Sequence, residues 1–347
     1  MAKKVNVLVT GAGGIIGQGI IKCLKMANEN KHAEIIYNVI GADASALAAG
    51  LYLCGKGAII PKADDQEFLF SLIKLIKQNC VEAVYVGTDP ELHVIGQYMR
   101  EIEEQTSAKI FVNPIRVVKI ARDKWNTFRF LKYHGFACPD SALPLNLQQF
   151  LDSHNFPVVV KPREGFGAKH FYITNNRAEL DSAIISIKKI GWNPIIQEYL
   201  GGDQEFTTGV LVDKSTKEII SSISIRKYLK FGQTYKAFID DFKEIRSISE
   251  KVALVIGAAG AINIQSKKYK GTNKIFEINP RFSATCIMRA HAGINEPDLL
   301  FRNMILGESA KFRSYKKMVC MRYWEEICVE DRKYRNILKT RRISADG

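Results

Sequence analysis

The chain has 347 residues, 46% of them apolar and 25% charged, the balance of a folded globular protein of two or three domains rather than a disordered or fibrous one. Its net charge is +14, with 11 basic against 5 acidic residues between 311 and 347; no helix-turn-helix, zinc knuckle or aromatic-interleaved basic face accompanies that charge, so nucleic acid is not an expected partner. Apolar runs of strand length and seven scattered cysteines without a CxxC pair speak against a membrane span and a disulfide scaffold, and predict a reduced, cytoplasmic protein.

The first ~115 residues alternate strand and helix patterns, as βαβ units do. Strands are predicted at Val5–Thr10, Tyr37–Ala42, Ala83–Gly87 and Ile110–Val112. Between them, apolar residues at 68, 69, 72, 73 and 76, then at 92, 95, 99 and 102, have the spacing of one buried helical face. A parallel, doubly wound α/β sheet follows. Pro114 and the run to Lys124 mark the exit from that domain. Next come a helix over Trp125–His134, a break from Gly135 to Pro144 and a further helix before Pro157. The stretch "FPVVVKPREGFGAKHFYIT" reads as strand, glycine loop, strand; a helix (Arg177–Ile190) and the strand "PIIQEYL" complete that unit. Beyond it, β-segments dominate at Phe206–Val212, Glu218–Arg226, Ala261–Ser266 and Lys274–Asn279.

The turn Gly11-x-x-Gly-x-x-Gly17 after the first strand has the spacing by which short-chain dehydrogenases and epimerases bring backbone N–H groups to the pyrophosphate of NAD(P). Asp43 ends the second strand, where a ribose-binding acid belongs. Such enzymes also need a downstream Tyr-x-x-x-Lys pair, and the one occurrence, Tyr52…Lys56, comes too early in the chain to reach a nicotinamide. The same glycines equally serve close helix–strand packing.

Other segments carry stronger chemistry. In "NIQSKKYKGTNKIFEINPR", Gln265 ends one strand, while Glu277 and Asn279 lie two apart on the next and share a face. Three such oxygen donors suit a hard cation such as Mg²⁺. Arg281, two residues further, can fork onto phosphate oxygens. Lys161 emerges from the apolar strand "VVVK", where an ammonium wants an anion, and the loop bearing Gly165, Gly167 and Lys169 offers backbone donors to phosphate. Glu198 follows a short strand, Tyr199-Leu200 would form a hinge whose backbone can read adenine, and Glu205 opens the next strand, although alone the segment reads equally as a generic loop with acids. Arg226 ends an apolar strand and can bind a carboxylate or phosphate. In "VGTDPEL", Thr88, Asp89 and Glu91 are substrate candidates at a strand's C-terminal end, although Asp89 before Pro90 also reads as ordinary helix initiation.

In this order and spacing the segments resemble the ATP-grasp superfamily, and within it the synthetase unit of the carbamoyl-phosphate synthase large subunit. The resemblance implies a Rossmann-like pre-ATP-grasp domain (1–115), a small lid subdomain with its linker helix (116–197) and a large C-terminal subdomain (198–347). It implies ATP with Mg²⁺ or Mn²⁺ as cofactors, Gln265, Glu277 and Asn279 as metal ligands, and Lys161, Arg281 and Arg226 as catalytic residues. Lys124 of "RDKW", Lys161, Gly165, Gly167, Lys169, Glu198, Tyr199, Leu200 and Glu205 would bind the nucleotide. The chain has one such unit rather than two, nothing resembling a glutaminase, and a shorter phosphate loop, "REGFGAK". The resemblance therefore implies a stand-alone ligase joining a small-molecule carboxylate to an amine, with a homodimer as the one protein partner allowed for.

Overall fold

The computed structural model describes residues 2–165, 170–202, 204–309, 311 and 314–343. Its N-terminal part alternates β1 (Lys3–Val9), α1 (Ile15–Asn28), β2 (Ile35–Asp43), α2 (Ala49–Leu53), β3 (Lys56–Ile59), α3 (Phe68–Gln78), β4 (Ala83–Tyr85), α4 (Asp89–Gln97), α5 (Met99–Thr106) and β5 (Lys109–Phe111). These strands lie parallel in the order β3-β2-β1-β4-β5. The order reverses between β1 and β4, which opens a crevice at their C-terminal ends. Val5, Val7 and Val9 of β1 pack on α1, and Leu8 packs on α3 and α4. The alternation thus buries both faces of one strand.

The segment after Pro114, where the chain leaves the first domain, is a helix, α6 (Ile115–Arg122), because Val117, Val118 and Ala121 form one buried stripe. It leads into α7 (Lys124–Tyr133). A four-stranded antiparallel sheet follows, ordered β6-β9-β7-β8. It comprises β6 (Ser141–Ala142), β7 (Val158–Pro162), β8 (Tyr172–Thr174) and β9 (Pro194–Glu198), backed by α8 (Leu147–Ser153) and α9 (Arg177–Lys189). Helix α9 begins where its capping box dictates. Asn176 Oδ1 accepts from Glu179 N at 2.9 Å, and Glu179 Oε1 accepts from Asn176 Nδ2 at 2.7 Å.

The third sheet is the largest. It holds β10 (Glu205–Val212), β11 (Ile219–Lys230), β12 (Gln233–Ile239), β13 (Gly260–Tyr269), β14 (Thr272–Asn279) and, after α10 (Lys243–Ile256), α11 (Cys286–His291) and α12 (Glu296–Leu306), the edge strand β15 (Met318–Met321). The order is β14-β13-β10-β11-β12-β15. One face packs on α6, α7 and α10 through Val210, Ile262, Ile264 and Ile278. The other, through Leu211, Ile223, Ile225 and Ile239, joins α11, α12 and the N-terminal domain in one core. Helix α13 (Asp331–Thr340) then returns β16 (Arg342–Ile343) to pair antiparallel with β3 of the first sheet. Among the described residues, no helix is long and apolar enough to cross a membrane.

Candidate active site

On the large sheet, Glu205 stands opposite Lys227, Gln265 opposite Glu277, and Asn263 opposite Asn279. Residues directly opposite across a ladder project to the same face, so these side chains make a polar row. Lys227 Nζ lies 2.8 Å from Glu205 Oε1 and also donates to Gln265 Oε1. Gln265 Nε2 donates to Glu277 Oε2 at 2.6 Å. Gln265 lies within β13 rather than at its end, and a bulge between Gln265 and Ser266 shifts the register by one residue on β14. That extra residue turns Ile275 into the core while Glu277 stays on the polar face. Lys227 is buried and lies one residue past the strand end read from sequence; the register that pairs it with Glu205 is the signal that finds it.

At the far end of the row, Arg281 Nη2 donates to Asn279 Oδ1 at 3.0 Å. The same guanidinium forks onto Asp89, Nε to Oδ1 at 2.6 Å and Nη2 to Oδ2 at 2.8 Å. Pro280 ends β14, yet its carbonyl is fixed by buried Asn113, whose Nδ2 donates to it at 3.0 Å and to Ala261 O at 2.6 Å, while Ala259 N donates to its Oδ1 at 2.8 Å. Asn113 was not visible in the sequence pattern. It clamps the end of the first sheet to the loop that carries Arg281.

The small sheet contributes two lysines. Burial, and after it the neighbouring Lys124, push the Lys161 ammonium down to about 8 against the upward pull of Glu277 and Glu205. Lys161 therefore feels both carboxylates of the polar row. Burial also lowers the Lys124 pKa, offset in part by Glu277. Lys124 Nζ donates to Gly165 O at 3.0 Å, while Asp123 pairs with Arg163 and caps α7 through Trp125 N. The base of the glycine loop is thus stitched to the start of α7. Gly167 and Lys169 lie outside the described residues.

At the hinge, Glu198 ends β9 and is clasped by Lys274 of β14. Leu200 is buried and Tyr199 half-buried, and six residues on from that hinge tyrosine Glu205 opens β10. Two expectations need correction. Arg226 stands opposite Phe206 and Phe238, on the sheet face away from Lys227 and Glu205. There its guanidinium covers the Phe238 ring at 4.8 Å, so it does not join the row. Thr88, not Asp89, caps α4, its hydroxyl accepting from Glu91 N at 3.4 Å. Asp89 is thereby free to meet Arg281. Glu91 turns inward, accepting from Thr10 Oγ1 at 2.8 Å, and burial pushes its carboxyl up to about 7.

The Gly11–Gly17 turn is filled by the protein itself. A Cβ on Gly50 of α2 would lie 1.8 Å from Ala12 O, and one on Gly17 would lie 2.3 Å from Gly11 O. Asp43 is engaged with Gly13 N at 2.8 Å and Ser45 N at 3.0 Å. The glycines serve close packing of α2 and of the segment after β4 on the turn.

Residues 193–327 match a family model described as ATP-grasp in the biosynthetic pathway with Ter operon, and residues 7–110 match one described as PylC-like, N-terminal domain. The chain is similar to the carbamoyl phosphate synthase large chain of Helicobacter pylori, 28% identical over 235 residues, which is 61% of this chain and 21% of that protein. It is also similar to a Fusobacterium nucleatum D-alanine–D-alanine ligase, 28% identical over 171 residues, covering 46% of this chain and 56% of the ligase. The chain therefore spans about a fifth of the first relative and just over half of the second. Its backbone superposes on Staphylococcus aureus N5-carboxyaminoimidazole synthetase in complex with ADP with a TM-score of 0.72, at 15% identity, over 92% of this chain and 83% of that one. The chain carries a PylC-like N-terminal domain and, behind it, an ATP-grasp domain.

Proposed function

We propose that the protein is an ATP-dependent ligase that activates a small-molecule carboxylate and joins it to an amine. Residues 116–197 would serve as the lid and 198–347 as the base of the nucleotide site, with 1–115 supplying part of the substrate site. The observation that carries this reading is the row Glu205–Lys227–Gln265–Glu277–Asn279–Arg281, whose carboxylates Glu205 and Glu277 both act on Lys161 of the small sheet and whose far end, Arg281, meets Asp89 of the first domain. The row offers two carboxylates and two side-chain amides as oxygen donors to a cation. Its amide and carboxylate oxygens are hard donors, and two of them already hold the side-chain cations Lys227 and Arg281, so Gln265, Glu277 and Asn279 fit Mg²⁺ or Mn²⁺. When bound, such an ion neutralises phosphate charge.

The remaining chemistry is positioning. Lys161 and Lys124 would hold the triphosphate, Glu205 the ribose, and the backbone around Glu198–Leu200 the adenine. A carboxylate oxygen of the acid attacks the γ-phosphorus, the bond to the bridging oxygen breaks, and ADP leaves. The amine then attacks the acyl carbon, the bond to phosphate breaks, and the amine proton is lost. The nearness of Arg281 to the row lets it stabilise the transferring phosphoryl group. Candidate acids and amines should be screened for ADP release with the wild-type chain and Glu277→Ala. A drop of about 10²–10³ in turnover in the variant is expected, and wild-type rates would refute the metal assignment.

A further inference from the structure

The tail after α12 supplies one cation that the polar row does not use. On β15, Cys320 stands opposite Ala237, which in turn stands opposite Lys227. Arg322, two residues beyond Cys320, keeps to that same face, and its backbone N donates to Tyr235 O at 2.9 Å. Its side chain reaches across to the loop after Arg281, where Nη2 donates to Ala284 O. Nη1 is buried and has no hydrogen-bond partner among the described residues. Burial pushes this guanidinium below the usual arginine range, and no carboxylate among the described residues offsets it.

An arginine withdrawn from water without a counter-ion is costly, and so is a buried N–H that donates to nothing. The other arginine of this loop shows the contrast. Arg281 is satisfied by a fork onto Asp89 and by Asn279. Ala284 is three residues from Arg281, so the two backbone positions lie within about 11 Å. An anion resting on Arg322 would sit beside the phosphate end of the row, on the face that the N-terminal domain covers.

We propose that Arg322 anchors the carboxylate of the acid substrate, donating from Nη1 while Nη2 stays on Ala284 O. This rests on the ligase reading above and adds to it the residue that recognises the acid. A guanidinium with one edge held by a carbonyl presents its remaining donors in fixed directions, which suits a planar carboxylate. Arg322 thereby takes the part that sequence reasoning gave to Arg226.

The test labels the full chain with phenylglyoxal, which modifies reachable guanidinium groups, and follows the Arg322 peptide by mass spectrometry. Sodium acetate is the carboxylate probe, with sodium chloride at equal ionic strength as the control, each with and without Mg²⁺ and a non-hydrolysable ATP analogue. Acetate should suppress labelling of Arg322 severalfold, and chloride should not. Equal labelling in acetate and chloride, or no labelling in either, overturns the proposal. Calorimetry of the analogue on the same samples tells the two readings apart: failure of the analogue to bind sinks the nucleotide site, whereas the acetate arm judges Arg322 without nucleotide. With a pool of the common amino acids as substrate probe, Arg322→Gln should raise the KM for the pool about 10- to 100-fold with a smaller change in the KM for ATP. Arg322→Lys should recover part of that loss. Equal loss of ATP and acid binding in both variants would mark Arg322 as a structural clamp and overturn the proposal.

Discussion

Arg281 and Asp89 stand 192 residues apart in sequence and share a two-pronged contact, with 2.6 Å and 2.8 Å between their nitrogens and oxygens. The pair ties the start of α4 to the segment just after β14, so the N-terminal domain touches the polar row at Arg281. Asp89→Ala should lower stability by about 1–3 kcal/mol, because it leaves a half-buried guanidinium without its partner. Chemical denaturation checks this, and an unchanged midpoint would mean the fork contributes nothing.

Lys161 sets a pH dependence. Its conjugate acid has a pKa of about 8, because burial disfavours the charged form. Below that value the ammonium is present to meet a triphosphate; as pH rises through it the charge is lost and affinity for Mg-ATP should weaken, by up to about tenfold per pH unit. In the Lys161→Met variant, binding should be weaker and flat across the same range. A wild-type affinity that holds steady through pH 8 and above would contradict the assignment.

Glu91 makes the opposite kind of prediction, about stability. Its carboxyl is raised from the usual value near 4.5 to about 7 by burial. The folded state therefore binds a proton that the unfolded chain has released across that window. The stabilising contribution is full below pH 4.5 and is lost as pH rises to about 7. Glu91→Gln, which keeps a group that can accept from Thr10 Oγ1, should remove about 1–3 kcal/mol of pH-dependent loss. Thermal midpoints of both proteins at several pH values measure it.

Gly50→Ala probes the glycine turn. The added methyl would meet Ala12 O at 1.8 Å, a backbone clash that the chain relieves only by moving α2 away from the turn. A loss of about 2–4 kcal/mol is expected, with Mg-ATP binding by the remaining folded protein unchanged. Altered ATP affinity at equal folded fraction would show that the turn communicates with the nucleotide.

The parts legible in the sequence are those with strong local periodicity. Alternation in "KIFEIN" put Glu277 and Asn279 on one face, and the register of β13 and β14 agrees. The parallel strands of the first sheet were readable because both of their faces are apolar. Two-residue β16 and four-residue β3 carry too little pattern to see, and each exists through pairing with the other or with β2. The run from Pro114 to Lys124 reads in sequence only as the exit from the first domain, because the basic residues of α6 mask its narrow apolar stripe. Arg226 and Lys227 show how a period of two separates neighbours: the first faces Phe238 and only the second joins the row. Arg322 had no local signal at all. Its place follows from β15 pairing with β12, a contact between segments about 80 residues apart.

The central claim is that Gln265, Glu277 and Asn279 hold a divalent cation that brings a triphosphate to Lys161. Calorimetric titration of ATP into the wild-type chain and into Glu277→Ala, each with and without Mg²⁺, tests it most directly. Binding that requires Mg²⁺ in the wild type and is lost in the variant is the expected result. Equal ATP affinity in all four titrations, or tight binding of NADPH in place of ATP, would contradict it.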